Sequence, residues 1–199
     1  AACHFALGFL VGQSSFWIRT VRDFGLTWVL FPALLVVVND TMAYFFGVAM
    51  GKTKLLPRLS PKKTVEGFVG AGLSTVAVSV PLLKLMLNKA GEGGGSKLLL
   101  SGEGIADATM SKHALVLAAF VSTVSPFGGF LASAVKRAHD AKDFGSLIPG
   151  HGGVVDRFDC QVVTAPFVYL YLRWWAAGAA GSAAAAAAEA GGGGGGRAP

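Results

Sequence analysis

Apolar residues along this chain gather into five long runs divided by short polar connections. Ala1 to Ile18 is uncharged apart from His4, Phe24 to Gly51 holds one ionisable residue, Asp40, and Gly67 to Leu83 and Ala114 to Val135 hold none. A helix needs roughly 20 apolar residues to cross about 30 Å of hydrocarbon, and these runs come close. The fifth run, Cys160 to Trp175, is shorter and ends in Arg173, Trp174 and Trp175. Indole rings beside a snorkelling arginine suit the headgroup layer, so this run also reads as a span. Five such runs exceed what a soluble core of this size accommodates. The pattern predicts an all-α fold, a polytopic membrane bundle of about five spans.

Composition supports a bilayer as the solvent. Of the 199 residues, 53% are hydrophobic and only 14% charged, and the mean hydropathy is +0.57. The net charge of +6 does not indicate nucleic acid, because the basic residues sit in short loops and form no contiguous stripe. Phosphates or anionic headgroups fit them better. Cys3 and Cys160 each lie in or beside an apolar run, which excludes a disulfide framework and favours packing roles. The chain opens inside an apolar stretch without the basic start and cleavage site of a signal peptide, so further spans are expected upstream. Residues 1–178 read as one transmembrane domain, Gly91 to Gly95 as a flexible loop, and the Ala/Gly-rich 179–199 as a disordered tail.

The polar connections set the topology. Lys52 to Lys63 precedes the third run and Lys136 to Asp159 follows the fourth, so an even number of crossings separates them and both face one side. They carry Lys52, Lys54, Arg58, Lys62, Lys63, Lys136, Arg137, Lys142 and Arg157, against Arg19, Arg22, Lys97 and Lys112 opposite. The richer side is expected to be cytosolic.

Candidate chemistry follows from charges placed where they are costly. Asn39-Asp40 lies deep in the second run, where a carboxylate persists for a partner, an ion or a wet cavity, or where the pair makes a structural hydrogen bond to another span. On a helix Asp40 and Tyr44 share a face, while Ala43, Gly47 and Gly51 form a small-residue stripe that admits a neighbouring helix. From Gly51 to Gly67 the chain reads GKTKLLPRLSPKKTVEG. Ser60-Pro61 is expected to start the next helix, whose first-turn amides would attract phosphate with help from Lys62 and Lys63. A solvated basic loop that only enforces topology is the plainer alternative. Glu66 suits the first helical turn better than it suits a metal.

Ser133 to Asp159 is denser still, with four basic residues and four aspartates. Asp156 and Asp159 share a helical face, and Asp143 can join them across the glycine-rich turn. Such hard oxygen donors suit Mg²⁺. His151 stands among Gly150, Gly152 and Gly153, which permit close backbone approach and present amides to an anion, leaving a phosphate-contact or acid/base role open beside an ordinary structural one. No second His or Cys stands at zinc spacing. His139 and Asp140 read as solvent-facing.

This segment resembles the signature of phosphatidate cytidylyltransferases, or CDP-diacylglycerol synthases: S-x-x-K-R-x4-K-D-x-G-x3-P-x-H-G-G-x2-D-R-x-D. Ser133, Lys136, Arg137, Lys142, Asp143, Gly145, Pro149, His151, Gly152, Gly153, Asp156, Arg157 and Asp159 fill every fixed position. The earlier stretch NDTMAYFFGVAMGKTKLLPRLSPKKTVEGFVGA resembles the eukaryotic-type branch of that family, and the likeness extends over roughly Gln13 to Tyr171. Val65 stands where the branch usually has tryptophan, and the loop before His113 is shortened.

The resemblance implies a C-terminal catalytic domain that transfers a cytidylyl group from CTP to phosphatidic acid, giving CDP-diacylglycerol and pyrophosphate in phospholipid biosynthesis. It implies Mg²⁺ on Asp143, Asp156 and Asp159, with Asp143, Asp156, Lys142 and His151 as the catalytic set. Asn39, Asp40, Ser60, Lys62, Lys63, Lys136, Arg137, Gly152, Gly153 and Arg157 are then expected to hold substrate. The implied partners are CTP, phosphatidic acid and membrane lipids, without nucleic acid, and a homodimer is admissible. The endoplasmic reticulum is the expected membrane, with plastid and mitochondrial membranes as alternatives. A CDP-alcohol phosphotransferase would need a different aspartate spacing, a lipid kinase would release a nucleoside diphosphate, and a transporter would use Asp40 and the loop charges as an ion path.

Overall fold

The computed structural model describes residues 2–57, 60–92, 107–139 and 155–192. They form six helices and one short hairpin: α1 (Ala2–Phe24), α2 (Thr27–Met50), β1 (Lys54–Leu56), β2 (Ser60–Thr64), α3 (Val65–Glu92), α4 (Asp107–Thr123), α5 (Pro126–Ala138) and α6 (Val155–Gly192). The fold is an all-α membrane bundle, as the apolar runs predict. Among the described residues, Thr27–Met50, Val65–Asn88 and Thr109–Ala138 are long and apolar enough to cross a membrane. From Ala2 on, the first apolar run falls within α1, and the fifth falls within α6.

Local chemistry explains where the helices stop. Gly25 takes a left-handed conformation (φ 93°) and donates its N–H to the Val21 carbonyl at 3.0 Å, closing α1 as only glycine does without strain. Gly51 closes α2 by donating to Gly47 O at 3.1 Å. The fourth apolar run, expected as one helix, is two: α4 ends at Thr123 and α5 begins at Pro126. Proline has no N–H to continue a preceding helix but suits a first turn. Where disorder was expected after residue 178, α6 continues to Gly192, in keeping with alanine being the strongest helix former. The Gly91 to Gly95 loop lies largely outside the described residues.

The segment before α3 departs from expectation. Ser60–Thr64 is a strand paired antiparallel with Lys54–Leu56, and α3 starts at Val65 instead of at Ser60-Pro61. Three contacts place the helix start there. Val65 N donates to Thr53 O at 2.9 Å, Thr64 Oγ1 accepts the Gly67 N–H at 3.2 Å, and both Glu66 carboxylate oxygens accept the Thr53 N–H at 3.1 Å. Thr64 is thus the cap that Ser60 was expected to be, and Glu66 is a first-turn charge with a structural bond. Lys62 and Lys63 therefore belong to a strand.

Helix α2 packs most extensively on α3, at the small-residue stripe read from the sequence. A Cβ on Gly67 would stand 2.7 Å from the Ala43 carbonyl and 2.9 Å from Thr64 Oγ1, and one on Gly70 would enter the Phe46 ring. The apolar core joins Phe31, Leu35 and Val36 of α2 to Leu83 of α3, Leu117 and Val121 of α4, and Val168 and Leu172 of α6. Buried polar groups bond between helices, since lipid offers no water: Thr75 Oγ1 donates to Asn39 Oδ1 at 3.3 Å, Gln161 Nε2 to Ala33 O at 3.2 Å, and Ser125 Oγ to Cys160 O at 3.1 Å. At the far end, Tyr169 donates to Asp23 and accepts from Arg173, tying α1 to α6. Arg22, hydrogen-bonded to Asp23, holds that carboxyl below the usual carboxylate range.

Gly67→Ala is expected to lower stability by about 1–3 kcal/mol, the usual cost of overpacking. Gly12→Ala, with open space at its Cβ, is expected to be neutral or slightly stabilising. Thermal unfolding of the two variants in lipid nanodiscs checks the pair, and equal melting temperatures would refute the close α2–α3 contact.

Candidate active site

Leu55 and Lys63 of the first polar connection and Asp159 at the end of the second line one cavity of about 360 Å³. That is within the rough 300–1,000 Å³ range of ligand pockets. Its charged groups come from three elements far apart in sequence: Asp40 from α2, Lys63 from β2 and Asp159 from α6. Asp40 lies within electrostatic reach of both Lys63 and Asp159. Tyr44 lines the same wall as Asp40, one helical turn on, as the shared face predicts.

Each charge is held by its local structure. Lys63 follows from the hairpin: its backbone is fixed next to Thr64, whose side chain sits among Gly47, Gly51 and Gly67. Gly51 tolerates nothing larger, because a Cβ there would stand 2.7 Å from Thr64 Cγ2 and 2.8 Å from Thr64 Oγ1. The Lys63 ammonium lies over the Phe130 ring, 4.6 Å from its centroid. Asp159 sits in the opening turns of α6, where its Oδ1 accepts the Cys160 N–H at 2.7 Å. Helix α5 approaches it through two glycines. A Cβ on Gly128 would collide with the Asp159 carbonyl, and one on Gly129 would stand 3.4 Å from Asp159 Oδ2. Ser133, a turn later, lines the cavity and donates to Gly129 O at 2.7 Å.

The cavity therefore offers two carboxylates, one ammonium and nearby hydroxyls in a partly apolar surround. Hard oxygen donors beside a fixed cation can hold a divalent metal and an anion together. Among the described residues no group of three or more His, Cys, Asp or Glu side chains stands at metal-binding spacing.

Other predicted residues are placed elsewhere. Asn39 is 5% exposed and bonded to Thr75, so it serves the α2–α3 contact and does not line the cavity. Ser60 pairs with Leu56 at the start of β2. Lys136 and Arg137 occupy the last turn of α5, where cations complement the helix dipole. His139 is exposed at the α5 C-cap, as expected. Lys142, Asp143, His151, Gly152 and Gly153 lie outside the described residues, as do the side chains of Lys62, Asp156 and Arg157.

Sequence reasoning missed Thr64, Gly129 and Phe130, whereas Cys160 is a buried core residue, as expected, that also borders the cavity. Nothing in the apolar fourth run singled out Phe130.

Comparison with known proteins agrees with this geometry. The model of the cytidylyltransferase family matches residues 1–175. Phosphatidate cytidylyltransferase 1 of Arabidopsis thaliana is 38% identical over 197 residues, covering 85% of this chain and 46% of that protein. The phosphatidate cytidylyltransferase of Encephalitozoon cuniculi is 44% identical over 156 residues, 74% of this chain and 39% of the other. That of Saccharomyces cerevisiae is 38% identical over 198 residues, with 84% and 43% covered. The chain thus spans less than half the length of these relatives. Every residue that lines the cavity falls inside the matched region, and the chain belongs to the cytidylyltransferase family.

Proposed function

We propose that this chain carries the site at which a membrane enzyme transfers a cytidylyl group from CTP to phosphatidic acid. The products are CDP-diacylglycerol and pyrophosphate. One observation carries the reading: Asp40, Lys63 and Asp159, from three separate segments, converge on a single cavity at the polar end of a membrane bundle. Family membership and the names of the relatives support the substrates.

The chemistry asks little of a protein nucleophile. A phosphate oxygen of phosphatidate attacks the α-phosphorus of CTP, the new P–O bond forms in line, and the bond to the bridging oxygen breaks as pyrophosphate leaves. The difficulty is bringing two anions together, so positioning and charge neutralisation dominate. Lys63 supplies a fixed positive charge in the cavity, and Ser133 and Thr64 supply hydroxyls at its wall.

The donor set fits Mg²⁺, which is commonly held by one or two carboxylates completed by substrate phosphates. Asp159 and Asp40 would hold it from this cavity, joined by Asp143 and Asp156 of the adjoining segment. When bound, the ion neutralises triphosphate charge and stabilises the pyrophosphate leaving group. Lys62, Lys136, Arg137, Lys142, Arg157 and His151 are proposed to complete the anion-binding surround. The excess of basic residues in the two site loops supports a cytosolic orientation, and the resemblance to the eukaryotic-type branch supports the endoplasmic reticulum as the membrane.

Full-length protein in nanodiscs is expected to release pyrophosphate from CTP only when phosphatidic acid and Mg²⁺ are present, and chelation should stop turnover reversibly. Release of a nucleoside diphosphate instead would replace the reading with a kinase. Asp159→Asn is expected to reduce kcat by about 10²-fold or more while the protein remains folded in the membrane. Wild-type turnover by that variant across a Mg²⁺ titration would remove Asp159 from the mechanism. Lys63→Met should lower kcat/KM by about 10²-fold, read from the same pyrophosphate assay, and an unchanged value would remove its charge from the site.

A further inference from the structure

We infer that Phe130 is a positioning residue for cytidylyl transfer: its ring holds the Lys63 ammonium at a set place in the cavity without neutralising it. This rests on the reaction proposed for the same cavity.

A lysine carries its charge on a flexible four-carbon stem, and ordering that stem for an incoming phosphate is entropically unfavourable. A carboxylate partner could order it, but would offset the charge and compete with phosphate for the same donors. An aromatic face avoids that conflict, because its quadrupole attracts the cation while carrying no net charge. Phe130 does this here, with the ammonium 4.6 Å from its centroid. Among the described residues Lys63 forms no salt bridge, although the Asp40 carboxylate lies within its electrostatic reach.

The platform is itself fixed. Phe130 is 6% exposed and packs edge-on against Phe127 at 5.7 Å. The two preceding residues, Gly128 and Gly129, bring α5 against Asp159 and Cys160 so closely that α5 cannot slide along α6 without disturbing the carboxylate. Gly128, Gly129 and Phe130 thus set the distance between the anionic and cationic arms of the cavity. On the other side, Thr64 in its glycine socket fixes the strand from which Lys63 projects.

The test uses full-length protein with Phe130 replaced by phenylalanines bearing one, two or three ring fluorines, which weaken the negative face with little change in shape. Stepwise loss of kcat/KM for CTP, reaching roughly tenfold, is expected. Phe130→Tyr should stay within about twofold of wild type and Phe130→Leu should fall roughly tenfold. A flat response to fluorination overturns the proposal, whether or not Phe130→Leu folds. A second readout is independent of activity. Reductive methylation with ¹³C labels the lysines and preserves their charge, and the Lys63 methyl resonance should be shifted upfield by the ring and lose that shift in Phe130→Leu. Absence of the upfield shift in the wild type overturns the contact. An upfield shift in a protein that forms no pyrophosphate from CTP and phosphatidic acid overturns the functional reading and leaves the contact standing.

Discussion

The arrangement depends on how closely α2 and α3 approach. Gly47, Gly67 and Gly70 remove the side chains that would separate the helices, and Thr64 fills the gap left at their end. Its hydroxyl caps α3 and its neighbour Lys63 lines the cavity, so this short segment sets both the helix start and the cavity's cation. With larger residues the helices would part, the hairpin would lose its anchor, and the Asp40 wall would move away from Lys63.

On the opposite wall the same device recurs with a different purpose. Gly128 and Gly129 let α5 press against the first turns of α6, seating Asp159 beside the cavity. Unlike charges then face one another across a space with apolar walls, where electrostatic interactions are stronger than in water and a misplaced charge is costly to keep. The distant polar knot of Asp23, Tyr169 and Arg173 holds the other end of α1 and α6, so the bundle is fastened at both ends.

Much of the fold was legible. Long apolar runs report helices because lipid forces every backbone group to bond within its own segment, and the Ala43/Gly47 stripe reported a close crossing because only small residues permit one. Asp40, which lines the cavity, stood out as a candidate because a carboxylate so deep in an apolar run is expensive. Less legible were the hairpin and the break before Pro126. Ser60-Pro61 carries a valid helix-start signal, but the pairing of Lys54 with Thr64 and the bonds from Thr53 to Val65 and Glu66 outweigh it, and those partners lie about ten residues upstream. Asn39 carried the same sequence signal as Asp40, yet the two neighbours point to different faces of α2, one to Thr75 and one to the cavity.

By itself, the sequence determined the class of structure and the residues able to bear charge, because hydropathy and charge are properties of the chain order. Only the tertiary structure decided which of those residues share a space. Convergence of Asp40, Lys63 and Asp159 arises from contacts between elements distant in sequence, and the ring that holds Lys63 comes from an apolar stretch of α5. Packing, which acts through shape and not through order along the chain, made that choice.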